Sequence, residues 1–373
     1  MLRRTRLLGL AILTALPLLM LTGTGAGAAP TAPITVVPAG CDFDDVTGDA
    51  VVTADAVTHG FVAFHGGTCP SAGVIWYFQG SGTSWTRAAT PYRGRVLAAA
   101  DDGAATFLLY QATDGIRITK RTHTGTSTPG RRISGFTGSN PYPTGDLVAF
   151  TNQWWAVWTE QLEPGEAAPM QLFQGKTIGA GDCIDPFDRR RITFLGTNDE
   201  SPSLVLRPAS AGASGADLVW SRNDGLRGES GHIWLAGADC TATWHSRRLS
   251  FAGRLDLDPD LFRYAGVNHA VWLRDLASVV YVNNAGGTYA GRTFTPGGAT
   301  PRVAVSGASA FVGFLGSRQH PVLAVYRGGA WTVRDLTPTA GPQRLLAVTA
   351  ARGLGTVLAA SEGTDRLYAI ANL

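Results

Sequence analysis

The sequence predicts an all-β protein built from repeated units, and three observations support this expectation. First, 47 glycines and 20 prolines among 373 residues interrupt the chain too often for long helices. Second, no stretch sustains an apolar period of 3.6 residues over three turns, as an amphipathic helix requires. Third, short β-branched and aromatic segments alternate with glycine-rich turns, which is typical of consecutive antiparallel strands.

One pattern recurs along the chain: a short apolar strand, often ending in an aromatic residue, followed by a polar loop. Its seven copies are 42 to 62 residues apart and end at Phe64, Tyr110, Trp158, Trp220, Trp272, Phe314 and Ala359. One supersecondary unit in each interval predicts a seven-bladed β-propeller of four-stranded antiparallel blades. A six-bladed propeller, with one unit demoted, is the alternative.

Each unit also supplies candidates for the other strands of its blade. The first strands precede the recurring pattern and begin at Ala50, Arg95, Asp146, Ser203, Leu261, Arg302 and Arg344. The third strands follow the pattern and begin at Val74, Ile116, Met170, His232, Ser278, Val322 and Arg366. Outer strands come after a tight turn, as at Trp85, Trp244, Arg292 and Trp331. The fifth unit has the poorest first strand, and the fourth is predicted to carry a loop insertion over residues 179–202 and a long loop at 221–231.

The last unit contains only three strand candidates before Leu373. An unpaired outer edge would expose backbone donors and acceptors to other chains. The segment "PITVV" at residues 33–37 is β-branched, and Pro33 and Pro38 suit the ends of a short edge strand. We therefore predict that this N-terminal segment closes the ring as the outer strand of the last blade.

The N-terminal segment has the features of an export signal. Arg3, Arg4 and Arg6 precede an apolar stretch at residues 7–21, and small residues at 26–28 offer a cleavage site. This apolar stretch is shorter than the roughly 20 residues of a membrane span. We expect a signal peptide at residues 1–28 and a single propeller domain at 29–373, exported by either the Sec or the twin-arginine route.

Removal of the signal changes the charge balance of the chain. It takes three arginines from 31 basic residues and leaves all 28 acidic residues, so the mature formal charge is zero. A neutral chain lacks the basic surplus that holds nucleic acid or anionic lipid. We expect a secreted monomer without a membrane span, whose partner is a glycan or a cell-surface protein.

Four cysteines remain in the expected mature chain: Cys41, Cys69, Cys183 and Cys240. An even number in an exported protein predicts disulfide bonds, since the compartment is oxidising. Three connectivities are open, and proximity in the sequence favours Cys41–Cys69 and Cys183–Cys240. The pairs lack the close spacing of zinc sites.

Three turns before outer strands place a glycine three residues ahead of an aromatic residue. They are "GTSW" from Gly82, "GGTY" from Gly286 and "GGAW" from Gly328. This pattern resembles the end of the Asp-box, S-x-D-x-G-x-x-W, of the sialidase-like (BNR-type) β-propeller superfamily. The match is degenerate, because the first copy has Phe78 and Gly80 at the Ser and Asp positions of the motif.

The resemblance implies a definite active site. Sialidases use three arginines that bind the substrate carboxylate, a tyrosine nucleophile paired with a glutamate, and an aspartate as acid and base. The first arginine of the family lies beside the first inner strand, whereas this chain has no arginine between Arg6 and Arg87. No arginine of the family is therefore carried over to this sequence.

One face of the propeller is the predicted site, because loops entering first strands share it with loops linking second and third strands. The candidate catalytic carboxylates are Glu160, Asp224 and Glu229, since two carboxylates about 5–9 Å apart can act as acid and base. The candidate ligand-binding residues are Tyr92, Arg93, Tyr142, Arg189, Arg190, Arg191, Arg222, Arg227 and Arg274. Further charges on this face are Glu163, Glu166, Asp185, Asp188 and Asp275. Solvated loop charges without a function are the alternative interpretation.

Two other clusters have simpler interpretations. Alternation along a strand puts Trp154 and Trp158 on one side and Trp155 on the other, where packing between blades is a more common role than sugar stacking. The acidic segment at residues 256–260, "DLDPD", resembles only the start of a calcium loop, so a turn with exposed acids is expected. No metal site or cofactor is predicted, and calcium is the one ion left open.

These observations predict a secreted, non-catalytic β-propeller that acts as a binding or scaffold module. Glycan or cell-surface ligands are favoured because the chain is neutral and no complete catalytic set is recognisable. A divergent sialidase-like exo-glycosidase, a glycoside hydrolase, is the alternative.

Overall fold

The computed structural model describes residues 34–35, 44–67, 71–82, 84–134, 143–161, 169–177, 187–194, 197–209, 212–223, 231–239, 243–250, 253–286, 289–295, 299–336, 343–361, 366–370 and 373. These residues form 28 β-strands and no helix. Within this part of the chain, accordingly, there is no helix of the length and apolarity that a membrane crossing requires.

The strands form seven four-stranded antiparallel sheets. Blade 1 contains β2 (Asp45–Val52), β3 (Thr58–His65), β4 (Val74–Ser81) and β5 (Ser84–Arg93), and blade 2 contains β6 (Arg95–Asp101), β7 (Ala105–Ala112), β8 (Gly115–Thr122) and β9 (Arg131–Arg132). Blade 3 contains β10 (Gly145–Phe150), β11 (Gln153–Gln161), β12 (Met170–Lys176) and β13 (Phe187–Arg191), and blade 4 contains β14 (Asn198–Ala209), β15 (Gly212–Asn223), β16 (Gly231–Asp239) and β17 (Trp244–Arg248).

The remaining blades follow the same order. Blade 5 contains β18 (Asp256–Tyr264), β19 (Val267–Arg274), β20 (Ser278–Asn283) and β21 (Ala290–Phe294), and blade 6 contains β22 (Arg302–Ser306), β23 (Ser309–Leu315), β24 (Pro321–Arg327) and β25 (Ala330–Asp335). Blade 7 contains β26 (Gln343–Ala351), β27 (Leu354–Ser361) and β28 (Arg366–Ile370), together with β1 (Ile34–Thr35). The first strands of successive blades contact one another around a closed ring, in which β2 contacts both β6 and β26. The seven-bladed prediction is confirmed, and the six-bladed alternative is wrong.

The N-terminal strand closes the ring as predicted. Strand β1 pairs antiparallel with β28, with Ile34 opposite Leu367 and Thr35 opposite Arg366. It thus completes a blade whose other three strands come from the opposite end of the sequence. This pairing covers the outer edge of β28, which would otherwise present unpaired backbone groups.

The cores lie between neighbouring blades, where apolar residues of the second and third strands interdigitate. Trp154 and Trp158 join the cluster between blades 2 and 3, together with Phe107. Trp155 joins the cluster between blades 3 and 4. All three indoles are buried, which confirms the prediction that these tryptophans serve packing between blades.

The acidic segment at residues 256–260 is not a turn with exposed acids, as the sequence suggested, but the start of β18. Asp256 is fully buried. The register of β18 shifts between Leu257 and Asp260, and Asp258 has a φ of 48°. This β-bulge accommodates Pro259, which could not donate a ladder hydrogen bond. The bulge explains why the fifth unit resembled a strand so poorly.

The predicted insertion at residues 179–202 is wrong over part of its length. Phe187–Arg191 forms β13, the outer strand of blade 3, and β14 begins at Asn198. Arg189, Arg190 and Arg191 therefore belong to a strand and not to a loop. Three consecutive arginines gave no alternation of polar and apolar residues, so the pattern could not identify an exposed outer strand.

Several predictions concern residues outside those that the structure describes. They are the signal peptide, the four cysteines Cys41, Cys69, Cys183 and Cys240, and the candidate site residues Tyr142, Glu163, Glu166, Asp185, Asp224, Arg227 and Glu229. Export and the disulfide pairing stay predictions.

We predict that the ring depends on β1. Deleting residues 31–38 should lower the melting temperature and promote aggregation, because it uncovers the edge of β28. Removing residues 29–30 alone is the control and should leave the melting curve unchanged. Thermal unfolding with light scattering measures both effects. Equal melting curves for the two deletions would contradict the role of β1.

Candidate functional site

The central channel has a volume of about 850 Å³ and is lined by the first strands of all seven blades. Side chains on these strands accept hydrogen bonds from backbone N–H groups of the next blade. Asp49 accepts from Ala99 at 2.8 Å, and Asp146 accepts from Leu204 at 2.6 Å.

The same arrangement continues around the ring. Ser203 Oγ accepts from the Leu261 N–H at 3.0 Å, and Asp260 accepts from the Val303 N–H at 2.7 Å. Ser203 Oγ also lies 3.2 Å from Asp146 and 3.1 Å from Asp260, so it links the two carboxylates. These contacts satisfy backbone donors that the ladder within one blade leaves unused.

Burial makes the channel carboxylates hard to ionise. It raises the pKa of Asp49 to about 7, and the nearby charge of Asp146 adds to this effect. Burial likewise raises the pKa of Asp146 to about 6, with a further contribution from Asp260. The pKa of Asp260 is also raised by burial. Among the described residues, no group of three or more His, Cys, Asp or Glu side chains is arranged to hold a metal ion.

Two arginines of the predicted loop face, Arg222 and Arg274, are each tied to a carboxylate of the same blade. Arg222 forms a bidentate pair with Asp199, with Nε at 2.7 Å and Nη2 at 3.3 Å. Arg274 forms the same pair with Asp256, at 2.8 and 3.1 Å. In both blades the two partners lie directly opposite each other on the first and second strands. These arginines brace separate blades and do not converge on one ligand.

The candidate acid Glu160 is also engaged. It is buried, accepts from the Trp158 indole at 3.0 Å, and pairs with Arg189 at 3.2 Å. Arg191 donates to the Thr193 carbonyl and to Gln171. Arg190 is exposed on β13, where its backbone lies opposite Gln174 of β12.

The remaining candidates of the loop face have similar local roles. Tyr92 is buried between blades 1 and 2 and donates to the Thr128 carbonyl. Arg93 is exposed and donates to the Ala72 carbonyl at 3.3 Å. Asp275 pairs with the exposed Arg254 at 3.0 Å. Apart from the Glu160–Arg189 pair, the structure therefore does not bring the described members of the predicted site together.

A large cleft opens elsewhere, between blades 5 and 6. It has a volume of about 1800 Å³. Blade 5 contributes residues of β19, β20 and β21, whereas blade 6 contributes the Gly307–Ala308 turn and parts of β24 and β25. Gly291 on β21 is required here, because a Cβ would lie 1.7 Å from the Tyr281 carbonyl oxygen. Any side chain at this position would push the outer strand away from β20.

An aromatic cluster forms one part of the cleft wall. Trp331 of blade 6 is half-buried and reaches the rings of blade 5, with centroids 5.0 Å from both Tyr281 and Phe294 in edge-to-face geometry. Tyr326 lies 5.4 Å from Trp331. Edge-to-face contacts of this kind hold an indole in a fixed orientation. The cleft thus has an aromatic wall of rings in mutual contact.

Three polar side chains lie beside this wall. His269 Nδ1 is 2.8 Å from the Tyr281 hydroxyl, and Asn283 Nδ2 donates to the same oxygen at 3.2 Å. Burial lowers the pKa of His269 to about 4 and raises that of Tyr281. The triad is therefore neutral near pH 7, and it can donate and accept hydrogen bonds without a net charge.

Blade 1 contains a copy of this triad. His59 Nδ1 lies 2.5 Å from the Tyr77 hydroxyl, which donates to Gln79 at 2.9 Å. The register is the same in both blades, because His59 lies opposite Gln79 as His269 lies opposite Asn283. The sequence contains this signal as a tyrosine two residues before an amide at the end of the third strand, but it has no meaning without the histidine that the fold places opposite.

The copy in blade 1 is covered by side chains of blade 2. His123 stacks on His59 with ring centroids 4.1 Å apart, and the Arg121 guanidinium lies 4.9 Å from the centre of the Tyr77 ring. Asp101 holds His123 at 2.7 Å. Side chains of blade 2 thus cover the triad of blade 1.

Blade 6 has different residues at the matching positions of the ladder. Val305 and Ala310 pair as Asp101 and Thr106 do, and Tyr326 takes the position of Arg121. Gly328 follows β24 at the place where His123 follows β8. The two side chains that cover the triad in blade 1 are therefore replaced here, Arg121 by Tyr326 and His123 by Gly328, and the cleft between blades 5 and 6 stays open.

The comparisons with known proteins concern the fold. No family model and no curated protein matches the chain. The SapL1 lectin, solved in complex with alpha methyl fucoside, is similar at 11% identity over 78% of this chain and 96% of its own, with a TM-score of 0.51. The similarity between the two chains concerns the β-propeller fold.

Two further solved structures have unrelated descriptions. The β-propeller domain of Cps50 (Swd1) from Myceliophteria thermophila has 8% identity, covers 92% of this chain and 99% of its own, and has a TM-score of 0.53. The polysaccharide lyase Uly1 has 11% identity, covers 95% of this chain and 94% of its own, and has a TM-score of 0.50. At such identities the similarity shows the fold alone, because one fold carries many functions. The resemblance to sialidases is not confirmed by these similarities.

We predict that Asp199 is structural. Replacing it with asparagine should cost about 3–5 kcal/mol of unfolding free energy, since Arg222 would stay buried without a counter-charge. Asp275→Asn, in the exposed pair with Arg254, is the control and should cost at most about 1 kcal/mol. Denaturant unfolding measures both values. A cost for Asp199→Asn as small as that of the control would show that Arg222 does not need its partner.

We also predict that the channel makes stability depend on pH. The pKa of Asp49 is raised in the folded state to about 7, so its contribution to stability is complete below pH ~4 and is lost as the pH rises through 7. His65 and His269, whose pKa burial lowers to about 4, act in the opposite direction between about pH 4 and 6.5.

A comparison with Asp49→Asn removes this aspartate alone, because His65, His269, Asp146 and Asp260 all stay in the variant. Between pH 5 and 8 the wild type should lose on the order of 1–2 kcal/mol more unfolding free energy than the variant, the partial exposure of Asp49 to the channel reducing the full effect. Urea unfolding at several pH values provides the measurement. Parallel pH profiles would contradict the assignment to Asp49.

Proposed function

We propose that this protein binds carbohydrate in the cleft between blades 5 and 6. The observation that carries the proposal is the neutral His269–Tyr281–Asn283 triad beside Trp331, which faces an open cavity in blade 5 although its copy in blade 1 is covered. A sugar has apolar C–H faces and a rim of hydroxyl groups. It therefore needs an aromatic surface together with neutral donors and acceptors, which is the composition of this cleft.

The volume of the cleft favours an oligosaccharide over a small compact ligand. Clefts for drug-sized molecules measure about 300–1000 Å³, whereas this cleft holds about 1800 Å³. Within the described part of the chain, the His269 ring makes one hydrogen bond, through Nδ1, and the Trp331 indole N–H makes none. Both groups therefore have capacity left for a ligand.

The choice of a first ligand follows from the similar lectin. The SapL1 structure contains alpha methyl fucoside, and its likeness to this chain makes that sugar a reasonable first probe. We further propose that the protein is exported, as the N-terminal segment predicts, and that it meets its glycans outside the cell. In this proposal it is a non-catalytic binding module.

The enzymatic alternative has no specific support among the described residues. Glu160 is held by Trp158 and Arg189, and no glutamate is among the described residues that line the channel. The other two candidate carboxylates, Asp224 and Glu229, lie outside the described residues. Release of free sugar from bound oligosaccharides, abolished by Glu229→Ala, would favour the glycosidase over the binding module.

A steric block tests the proposed cleft. Ala308 is exposed and lines the cleft, so Ala308→Trp should obstruct part of it without disturbing the core or the triad. We expect the wild type to bind at least one sugar from an array of neutral oligosaccharides that includes α-methyl fucoside. The block should reduce this affinity by at least tenfold in calorimetry.

The matched control is Ala104→Trp. Ala104 is the exposed residue at the same place in the turn of blade 2, beside the covered triad. This variant should bind like the wild type. Equal affinity of both tryptophan variants, or an array without any bound sugar, would disprove the proposal.

A further inference from the structure

A second cleft lies on the other side of blade 5, between blades 4 and 5. It has a volume of about 500 Å³ and is lined by Arg207, Arg247, Arg263, Asp217, Asn268 and Tyr289. Asn268 and His269 are consecutive on β19, so their side chains point to opposite sides of the blade. Blade 5 therefore separates this cleft from the one proposed to bind sugar.

The charge of the second cleft is positive. Three guanidinium groups face a single carboxylate, that of Asp217. Arg263 pairs with Asp217 at 2.9 Å, and Arg207 Nε lies 3.6 Å from the same carboxylate. Among the described residues that line this cleft, guanidinium groups therefore outnumber carboxylates by three to one.

Several donors in this cleft are not used by the described part of the protein. The exposed Arg247 lies over the Tyr289 ring, 5.8 Å from its centre, and makes neither a hydrogen bond nor an ion pair with any described residue. Arg263 donates to described residues through Nη1 alone, to Asp217 and Asn268. The hydroxyl oxygen of Tyr289 is buried near Asn268, and no described residue makes a hydrogen bond of ordinary length and angle with it.

From these observations we infer that the cleft between blades 4 and 5 binds the anionic group of an acidic glycan, a carboxylate or a sulfate ester. Guanidinium forks match the planar or tetrahedral oxygens of such groups, and a buried hydroxyl without a hydrogen bond of ordinary length and angle adds a donor at the inner end. The Tyr289 ring beneath Arg247 orients the guanidinium group at the cleft. This inference rests on the proposed function and names the class of glycan: one with both neutral and acidic residues.

The experiment compares three methyl glycosides that share the glucose ring and differ at carbon 6. Methyl glucoside, methyl glucuronide and methyl glucoside 6-sulfate would be titrated into the full chain, with ligand-observed NMR as the readout. We expect at least tenfold tighter binding of one or both acidic probes, weakening as salt is added because the interaction is ionic. A preference for the glucuronide or for the sulfate identifies the anionic group, and either preference supports the inference.

Two neighbouring arginines provide a matched pair of variants. Arg247→Ala should abolish the preference for acidic probes, while Arg248→Ala should keep it. Arg248→Ala removes the same charge from the same exposed strand as Arg247→Ala. The Arg248 side chain, however, points to the opposite face of the strand, where its Nε donates to the Ser250 carbonyl. Melting curves confirm that both variants are folded.

The outcomes distinguish the two proposals. Equal affinity for neutral and acidic probes, or undiminished acidic preference in Arg247→Ala, overturns the second cleft even if Ala308→Trp still blocks neutral sugars. If the chain binds no neutral sugar on the array but binds acidic probes through Arg247, the second cleft stands and the first fails. If the folded wild type binds neither neutral nor acidic sugars, both proposals are overturned.

Discussion

The fold depends on side-chain hydrogen bonds that link the first strands of neighbouring blades at four of the seven junctions around the central channel. Asp49, Asp146, Ser203 and Asp260 each accept an N–H from the first strand of the following blade. A backbone donor facing the channel has no partner within its own sheet, and leaving it buried without one costs about 1–3 kcal/mol. Polar side chains on the first strands are therefore part of the ring, even though removing a carboxylate from water costs free energy.

This constraint acts on the inner strands and leaves the outer strands free to differ. The same His–Tyr–amide triad is covered in blade 1 by Arg121 and His123, whereas in blade 5 it faces a cavity. The difference comes from Val305, Ala310 and Gly328 in blade 6, which are smaller or apolar where blade 2 has polar groups. Repetition thus supplies a common frame, and a few substitutions in the neighbouring blade decide whether a cleft is open.

The charged residues of the loop face illustrate why composition alone misleads about sites. Arg222 and Arg274 each have a carboxylate directly opposite on the adjoining strand, and Glu160 is paired with Arg189. A pair of this kind braces one blade and leaves little capacity for a ligand. In contrast, Arg247 and Trp331 lie on outer strands between blades and retain unused surface or donors. Whether a charged or aromatic side chain has unused donors therefore depends on the side chains around it and not on its residue type.

The sequence by itself determined the all-β class, the seven blades, the closing strand at Ile34–Thr35 and the packing role of Trp154, Trp155 and Trp158. The strands follow from the alternation of residue types within short stretches of the chain. The number of blades follows from the repeat, which is visible when those stretches are compared along the sequence. The tertiary structure alone decided which charges are paired, that residues 256–260 begin a buried strand, and that two clefts flank blade 5. The physical reason is that pairing and open space depend on residues of neighbouring strands and blades, which lie tens of positions apart in the sequence and meet only when the ring closes.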